Sequence, residues 1–188
     1  MTPPLVGVLA LQGDVREHRD MLERAGARTT AVRRPAELAE LDGIVVPGGE
    51  STTIDRLART FGMFEPLRQA LRDGLPAFGT CAGMIMLADH LENAHAGQQT
   101  LGGLDVGVRR NAFGRQVDSF EAELDVVGLE TPFHAVFIRA PWVEKVGSGV
   151  EVVARVASGE AVGRIGAVRQ ANLLATSVHP EITGDHRM

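Results

Sequence analysis

One cysteine, no tyrosine and a single tryptophan stand among 188 residues, and each scarcity removes a class of protein. A lone cysteine rules out an internal disulfide and fits a reducing compartment, so a cytoplasmic setting is expected. Aromatics make up 4% of the chain, which leaves few rings for stacking on nucleobases. Basic residues do not dominate: the formal net charge is −5, which argues against a nucleic-acid or anionic-membrane surface. The apolar run Leu5 to Leu11 is short, interrupted by glycine and not preceded by a basic segment. Neither a signal peptide nor a membrane span is expected from it. The spacings CxxC, H-E-x-x-H, G-x-G-x-x-G and Gly-Lys-Ser/Thr are all missing, so no metal and no cofactor is expected. No repeat, low-complexity segment or long linker divides the chain. With 44% hydrophobic residues, it reads as one domain over residues 1–188.

What is present is an alternation of strands and helices. Leu5 to Leu11 is apolar throughout, as a parallel strand covered on both faces must be. Asp14 is placed as N-cap of a helix over Val15 to Ala25, stopped by Gly26. Ala31-Val32 and Gly43 to Pro47 read as strands, and Thr53 to Thr60 and Phe64 to Asp73 as helices. After about residue 100 the texture changes to short strands, at 104–108, 119–124, 135–138, 150–156 and 161–165, ending in Leu173 to Val178. The expected fold is α/β: a three-layer, open, mostly parallel sheet flanked by helices, with an antiparallel extension.

The cysteine sits in Phe78-Gly79-Thr80-Cys81-Ala82-Gly83, between a buried strand (Gly74 to Phe78, with turn residues in front) and a helix read over Met84 to Leu91. A reactive side chain between two glycines at a strand-to-helix turn has the form of a nucleophile elbow. Such a turn brings backbone against backbone, so a Cβ at Gly79 or Gly83 would clash. It also aims the first helical N–H groups at the sulfur, favouring thiolate. The alternative is a buried structural cysteine beside a tight turn.

A cysteine nucleophile needs a base and a group to orient that base. Of six histidines, His179 stands out, in Ser177-Val178-His179-Pro180-Glu181 directly after a strand. Pro180 keeps His179 extended, which turns His179 and Glu181 the same way. Glu181 then accepts one imidazole N–H and leaves the other nitrogen for the thiol. A surface strand end is the competing reading. His18 is placed on a solvated helix face, His134 in a turn, and His90 and His95 near a helix end and in a loop.

Two further stretches carry polar chemistry. Pro47-Gly48-Gly49-Glu50-Ser51-Thr52-Thr53 is either an ordinary turn with a Ser/Thr N-cap or a loop whose free N–H groups stabilise an oxyanion. Arg109, Arg110 and Arg115 crowd one polar loop, and Arg139 follows an apolar strand. Each is either solvated charge or a guanidinium for a substrate carboxylate.

PGGES, GTCAG and HPE, in that order and roughly 30 and 100 residues apart, resemble the motifs of triad-type (class I) glutamine amidotransferases, which have a flavodoxin-like fold. Gly7 to Gly13 with Glu17-His18, Arg110 to Gln116 with Ser119-Phe120-Glu121, and Phe137 to Pro141 narrow the resemblance. They are similar to the family of glutaminase subunits of pyridoxal 5′-phosphate synthase, and the likeness runs from about Leu5 to Arg187. It implies hydrolysis of L-glutamine to glutamate through a glutamyl thioester. The ammonia passes to a (β/α)8-barrel synthase subunit that makes pyridoxal 5′-phosphate. It implies Cys81 as nucleophile, His179 as base and later acid, and Glu181 as its orienter. Backbone N–H groups near Gly49 and Ala82 would hold the oxyanion. Gly48, Gly49, Glu50, Arg110, Ile138 and Arg139 would hold glutamine, and Gln12 would shape the site or the partner contact.

Two departures from the family pattern are visible. Family members typically run on into a last helix after a segment like Gly184 to Arg187, and Val178 stands where an aromatic is common. Rival readings are the glutaminase subunit of another amidotransferase, a peptidase or deglycase sharing the cysteine elbow, and a catalytically silent docking module. The closing His-Pro-Glu speaks against the peptidase.

Overall fold

The computed structural model describes residues 2–110, 119–185 and 187–188. The motif residues Asn111 to Gln116, with Arg115, and His186 lie outside the described residues.

Elements run β1 (Leu5–Leu9), α1 (Val15–Arg24), β2 (Arg28–Val32), a 3-10 turn (Pro35–Glu40), β3 (Gly43–Val46), α2 (Ser51–Thr60), α3 (Phe64–Arg72) and β4 (Ala77–Thr80). They continue as α4 (Ala82–Leu87), β5 (Ala88–Glu92), β6 (Leu104–Arg109), β7 (Ser119–Val126), β8 (Phe133–Ile138) and β9 (Trp142–Val146). The last are β10 (Glu151–Val156), β11 (Ile165–Gln170), β12 (Leu173–Thr176) and α5 (Pro180–Thr183).

Nine strands form one mixed sheet in the order β2-β1-β3-β4-β12-β11-β10-β7-β8. From β2 to β12 every pairing is parallel; from β12 to β8 every pairing is antiparallel. Strands β1 and β3 of the parallel half read as apolar runs because helices cover them. All four residues of β3 are buried, and Ile54, Ala58, Phe64, Leu67 and Leu71 of α2 and α3 belong to the same core. That half matches the expected α/β plan with its antiparallel extension.

Four local expectations are corrected. The helix read over Met84 to Leu91 stops at Leu87, and Ala88–Glu92 is a strand. All six α4 residues are buried, so no amphipathic stripe marked where helix gave way to strand. Strand β6, expected in the extension, instead lies in a separate three-stranded sheet, β5-β6-β9, and β9 was not foreseen. The strand read at 161–165 lies later, at Ile165–Gln170, after a turn in which Gly163 has φ 84°. Finally, β12 does not close the antiparallel extension. It lies at the junction of the two halves, parallel to β4 and antiparallel to β11.

This junction positions the site. β1, β3, β4 and β12 point the same way, so the segments after them, which carry Gln12, Gly48, Cys81 and His179, emerge at one carboxyl edge, where open α/β sheets bind ligands.

Candidate active site

Cys81 follows β4 directly, at φ 48° and ψ −101°. A side chain in this region of backbone space is costly, about 1–3 kcal/mol, and persists only where its surroundings over-determine it. Here they do. A Cβ on Gly83 would stand 1.9 Å from the Val46 carbonyl oxygen, and one on Gly79 would stand 2.7 Å from the Gly83 backbone. The Cys81 amide donates to the Thr176 carbonyl at 2.8 Å. The elbow is therefore clamped between β3 and β12, and a Cβ at either glycine would meet backbone, as expected.

His179 and Glu181 come together, though by a different route from the one expected. Pro180 begins the short helix α5, with His179 at its N-cap position, so Glu181 lies in a helical turn and not in an extended segment. Nδ1 of His179 faces Glu181 Oε1 at 2.7 Å, and both residues are 5% exposed. The Cys81 side chain lies close enough to the ring to raise its pKa. The Cys81 thiol in turn lies 3.9 Å from the Ile138 carbonyl oxygen, and the His179 amide donates to the Val136 carbonyl. Strand β8 thus closes one side of the site.

Burial by itself would lower the pKa of His179, but hydrogen bonds with Cys81 and Glu181, and the negative charge those groups can present, outweigh it. The imidazole is raised from its usual 6.5 to about 10. Because the folded value exceeds the unfolded one, the stability this group contributes is fully present below about pH 6.5 and is lost as pH rises through about 10. Removing Cys81 removes part of the cause, so His179 in a Cys81→Ala variant is expected to titrate at lower pH than in the wild type. NMR titration of the imidazole checks this, and an unmoved midpoint would refute the coupling.

Asp14 occupies the N-cap position of α1 but makes no side-chain cap bond. Its carboxylate turns to the site instead, 3.6 Å from His179 Nδ1. Burial and then the like charge of Glu181 raise its pKa. Asp14, His179 and Glu181 hold ligand atoms within 4.8 Å of one another. Nδ1 of His179 faces Glu181 at hydrogen-bonding distance, an arrangement suited to a shared proton.

The Gly48-Gly49 loop is held by the loop after β1. A Cβ on Gly13 would stand 1.8 Å from the Gly48 carbonyl oxygen, and one on Gly48 would stand 2.5 Å from His179 Cε1. Gly49 has φ 146°, with the Gln12 amide against it. Gln12 Oε1 accepts from the Glu50 amide at 2.7 Å. The cap of α2 is Glu50, which accepts from Thr53 N at 2.9 Å; Ser51 is already helical. Burial disfavours ionised Glu50, but bonds from Thr52 and Thr53 outweigh it and its pKa is lowered.

The crowded arginines separate. Arg109 ends β6 and pairs with Glu92 and Glu144, both at 2.7 Å. Arg110, 6% exposed, turns to the site, donating to Glu50 Oε1 at 3.0 Å and Gln98 Oε1 at 2.9 Å, with Nε unpartnered among the described residues. Arg139 is exposed just past β8, at φ 45°. Sequence reasoning missed Gln98, which bridges Arg110 and Ser51 from a polar loop with no local signal. It also misplaced His18, which is fully buried.

The architecture is that of a glutamine amidotransferase. A crystal structure described as glutamine amidotransferase is 50% identical, covers 97% of this chain with 93% of its own, and matches with a TM-score of 0.88. PurLQS from Thermotoga maritima shares the fold at 19% identity and a TM-score of 0.72, over 96% of this chain and 89% of that one. The chain belongs to the SNO glutamine amidotransferase family, whose model matches residues 8–188. Curated relatives include the pyridoxal 5′-phosphate synthase subunit PdxT of Nocardioides sp., 67% identical over 100% of this chain and 93% of the relative. The subunit of the same name from Acidothermus cellulolyticus is 63% identical over 98% and 90%.

Proposed function

We propose that this chain hydrolyses L-glutamine to L-glutamate and ammonia and supplies the ammonia to a pyridoxal 5′-phosphate synthase partner. The observation that carries this is the buried 2.7 Å His179–Glu181 pair at the sheet edge that also carries Cys81, in a chain 67% identical to a synthase subunit.

Cys81 Sγ attacks the side-chain amide carbon, and the carbonyl oxygen takes the negative charge against the backbone N–H groups of Gly49 and Ala82. His179 gives its proton to the departing nitrogen, which leaves as ammonia, while Glu181 holds the ring. Water, deprotonated by His179, then attacks the glutamyl thioester and releases glutamate and Cys81. Glu50, Arg110 and the Gly48-Gly49 backbone, with Ile138 and Arg139 opposite, form the cradle for the amino-acid end of glutamine. Buried Arg110, joined to Glu50, supplies a cation for the carboxylate. The catalytic unit is one domain over 1–188, the partner a (β/α)8-barrel subunit and the setting cytoplasmic. The free thiol suits that setting. Among the described residues no helix is long and apolar enough to cross a membrane.

Glutamate release tests the proposal, measured with this chain alone and then with the synthase subunit. A sharp rise on adding the partner is expected. Equal activity without it would point to another amidotransferase pathway, and none in either case would leave a silent docking subunit as the better account.

A further inference from the structure

The mechanism above uses one oxygen of Glu181 and leaves the other unexplained. Oε2 is buried and, among the described residues, has no hydrogen-bond partner, an unusual state for a carboxylate oxygen. Facing it at 3.4 Å is Nε2 of His18, whose side chain is fully buried. The other nitrogen, Nδ1, lies 2.7 Å from the Asp14 carbonyl oxygen. A carbonyl only accepts, so Nδ1 carries a proton. Nε2 also lies 3.0 Å from Thr80 Oγ1, on the residue just before Cys81.

We infer that His18 is a positioning residue for the glutaminase reaction: its Nε2–H is the donor that Glu181 Oε2 lacks, and fixes the plane of the carboxylate that orients His179. Nδ1–H holds the Asp14 carbonyl oxygen, and on this inference Nε2–H is directed at Glu181 Oε2. The 3.4 Å separation closes to a hydrogen bond by a small shift, as catalytic contacts often do when substrate binds. Cys81, His179, Glu181 and His18 then form a row in which acid and base alternate. The titratable groups facing His18 are Asp14 from its own end of α1 and Glu181 from α5, with His179 beyond. The ring also ties α1 to the elbow through Thr80, so a turned carboxylate and a displaced elbow are opposed by one side chain.

The inference rests on the glutaminase reading, and its test separates the two. Four proteins are compared, each in complex with the synthase subunit: wild type, His18→Leu, His18→Gln and His18→Asn. Partners that orient a catalytic ligand typically matter by about 10–100-fold. His18→Leu is therefore expected to lose about 10-fold or more in kcat with glutamine KM little changed. Glutamine places an amide N–H where Nε2 was and is expected to recover most of that loss. Asparagine reaches only the Nδ1 position and is expected not to. Equal recovery by glutamine and asparagine, or a wild-type kcat in His18→Leu beside a lowered Tm, overturns the inference and leaves His18 as helix packing. The second readout is NMR titration of His179. Its midpoint is expected to move in His18→Leu and His18→Asn and to return in His18→Gln, and one midpoint shared by all overturns the inference. Should wild type itself release no glutamate, the functional reading fails, and the titration alone decides the His18–Glu181 contact.

Discussion

Replacing Cys81 with alanine is expected to abolish glutamate release, by on the order of 10⁴-fold or more in kcat, with the fold intact. The size follows from the chemistry: without the thiol no thioester forms, and His179 and Glu181 have nothing to activate. Stability gives an independent reading of the same position. Alanine inherits the φ of 48° that Cys81 holds, and with it the strain. Glycine does not, so Cys81→Gly is expected to be more stable than Cys81→Ala by about 1 kcal/mol, the strain of an unfavourable φ less the extra chain entropy of glycine. Chemical denaturation of the two inactive variants measures this directly. Equal midpoints would mean that the elbow is not strained.

The second large effect belongs to a residue with no reactive group. In Gly83→Ala the new Cβ would lie 1.9 Å from the Val46 carbonyl oxygen and 2.9 Å from its carbon. The obstacle is backbone, which has no rotamer to change, so α4 must move off β3 or the elbow must open. A loss of about 3 kcal/mol or more is expected. Where the protein still folds, kcat is expected to fall on the order of 10²-fold, because about 1 Å of misplacement at a reacting group has that effect. Gly26→Ala is the control: nothing lies within 4 Å of its Cβ, and only its φ of 92° is strained. It is expected to lose about 1 kcal/mol and to keep its turnover. Thermal melts and initial rates on both variants check the contrast, and a Gly83→Ala enzyme as active as Gly26→Ala would overturn it.

Much of the site was legible because its constraints are local. Gly79 and Gly83 bracket Cys81 within five residues, and steric exclusion at a tight turn acts over that range. His179 and Glu181 are two residues apart, so almost any compact turn after Pro180 brings their side chains together. This is why the pairing was foreseen although the backbone carrying it is helical at Glu181 and not extended. His18 shows the reverse. Its helix, VREHRDMLER, is mostly polar, and a histidine there reads as solvent-facing. A signal was nevertheless present: His18 precedes Met21 by three residues and Leu22 by four, and Met21 is buried with it, so the three share one face. For Gln98 there was none, because its partners Ser51 and Arg110 are brought to it by different elements. The strand β5 was hidden for the same reason. Its pairing with β6 is long-range, while the apolar run Met84 to Leu87 continues the helix as well as it starts a strand.

By itself, then, the sequence determined the chemistry available: a thiol on a strained turn, an imidazole beside a carboxylate, glycine loops and arginines at strand ends. Side-chain type and short-range sterics settle these. Only the tertiary structure decided that they meet. Thr176 pairs with Thr80 because β12 inserts beside β4, parallel and in that register, and this joins residues 81 and 179. A four-residue apolar strand carries no record of its neighbour. Its place is set by which sheet edge buries it on both faces, a choice made by the whole core.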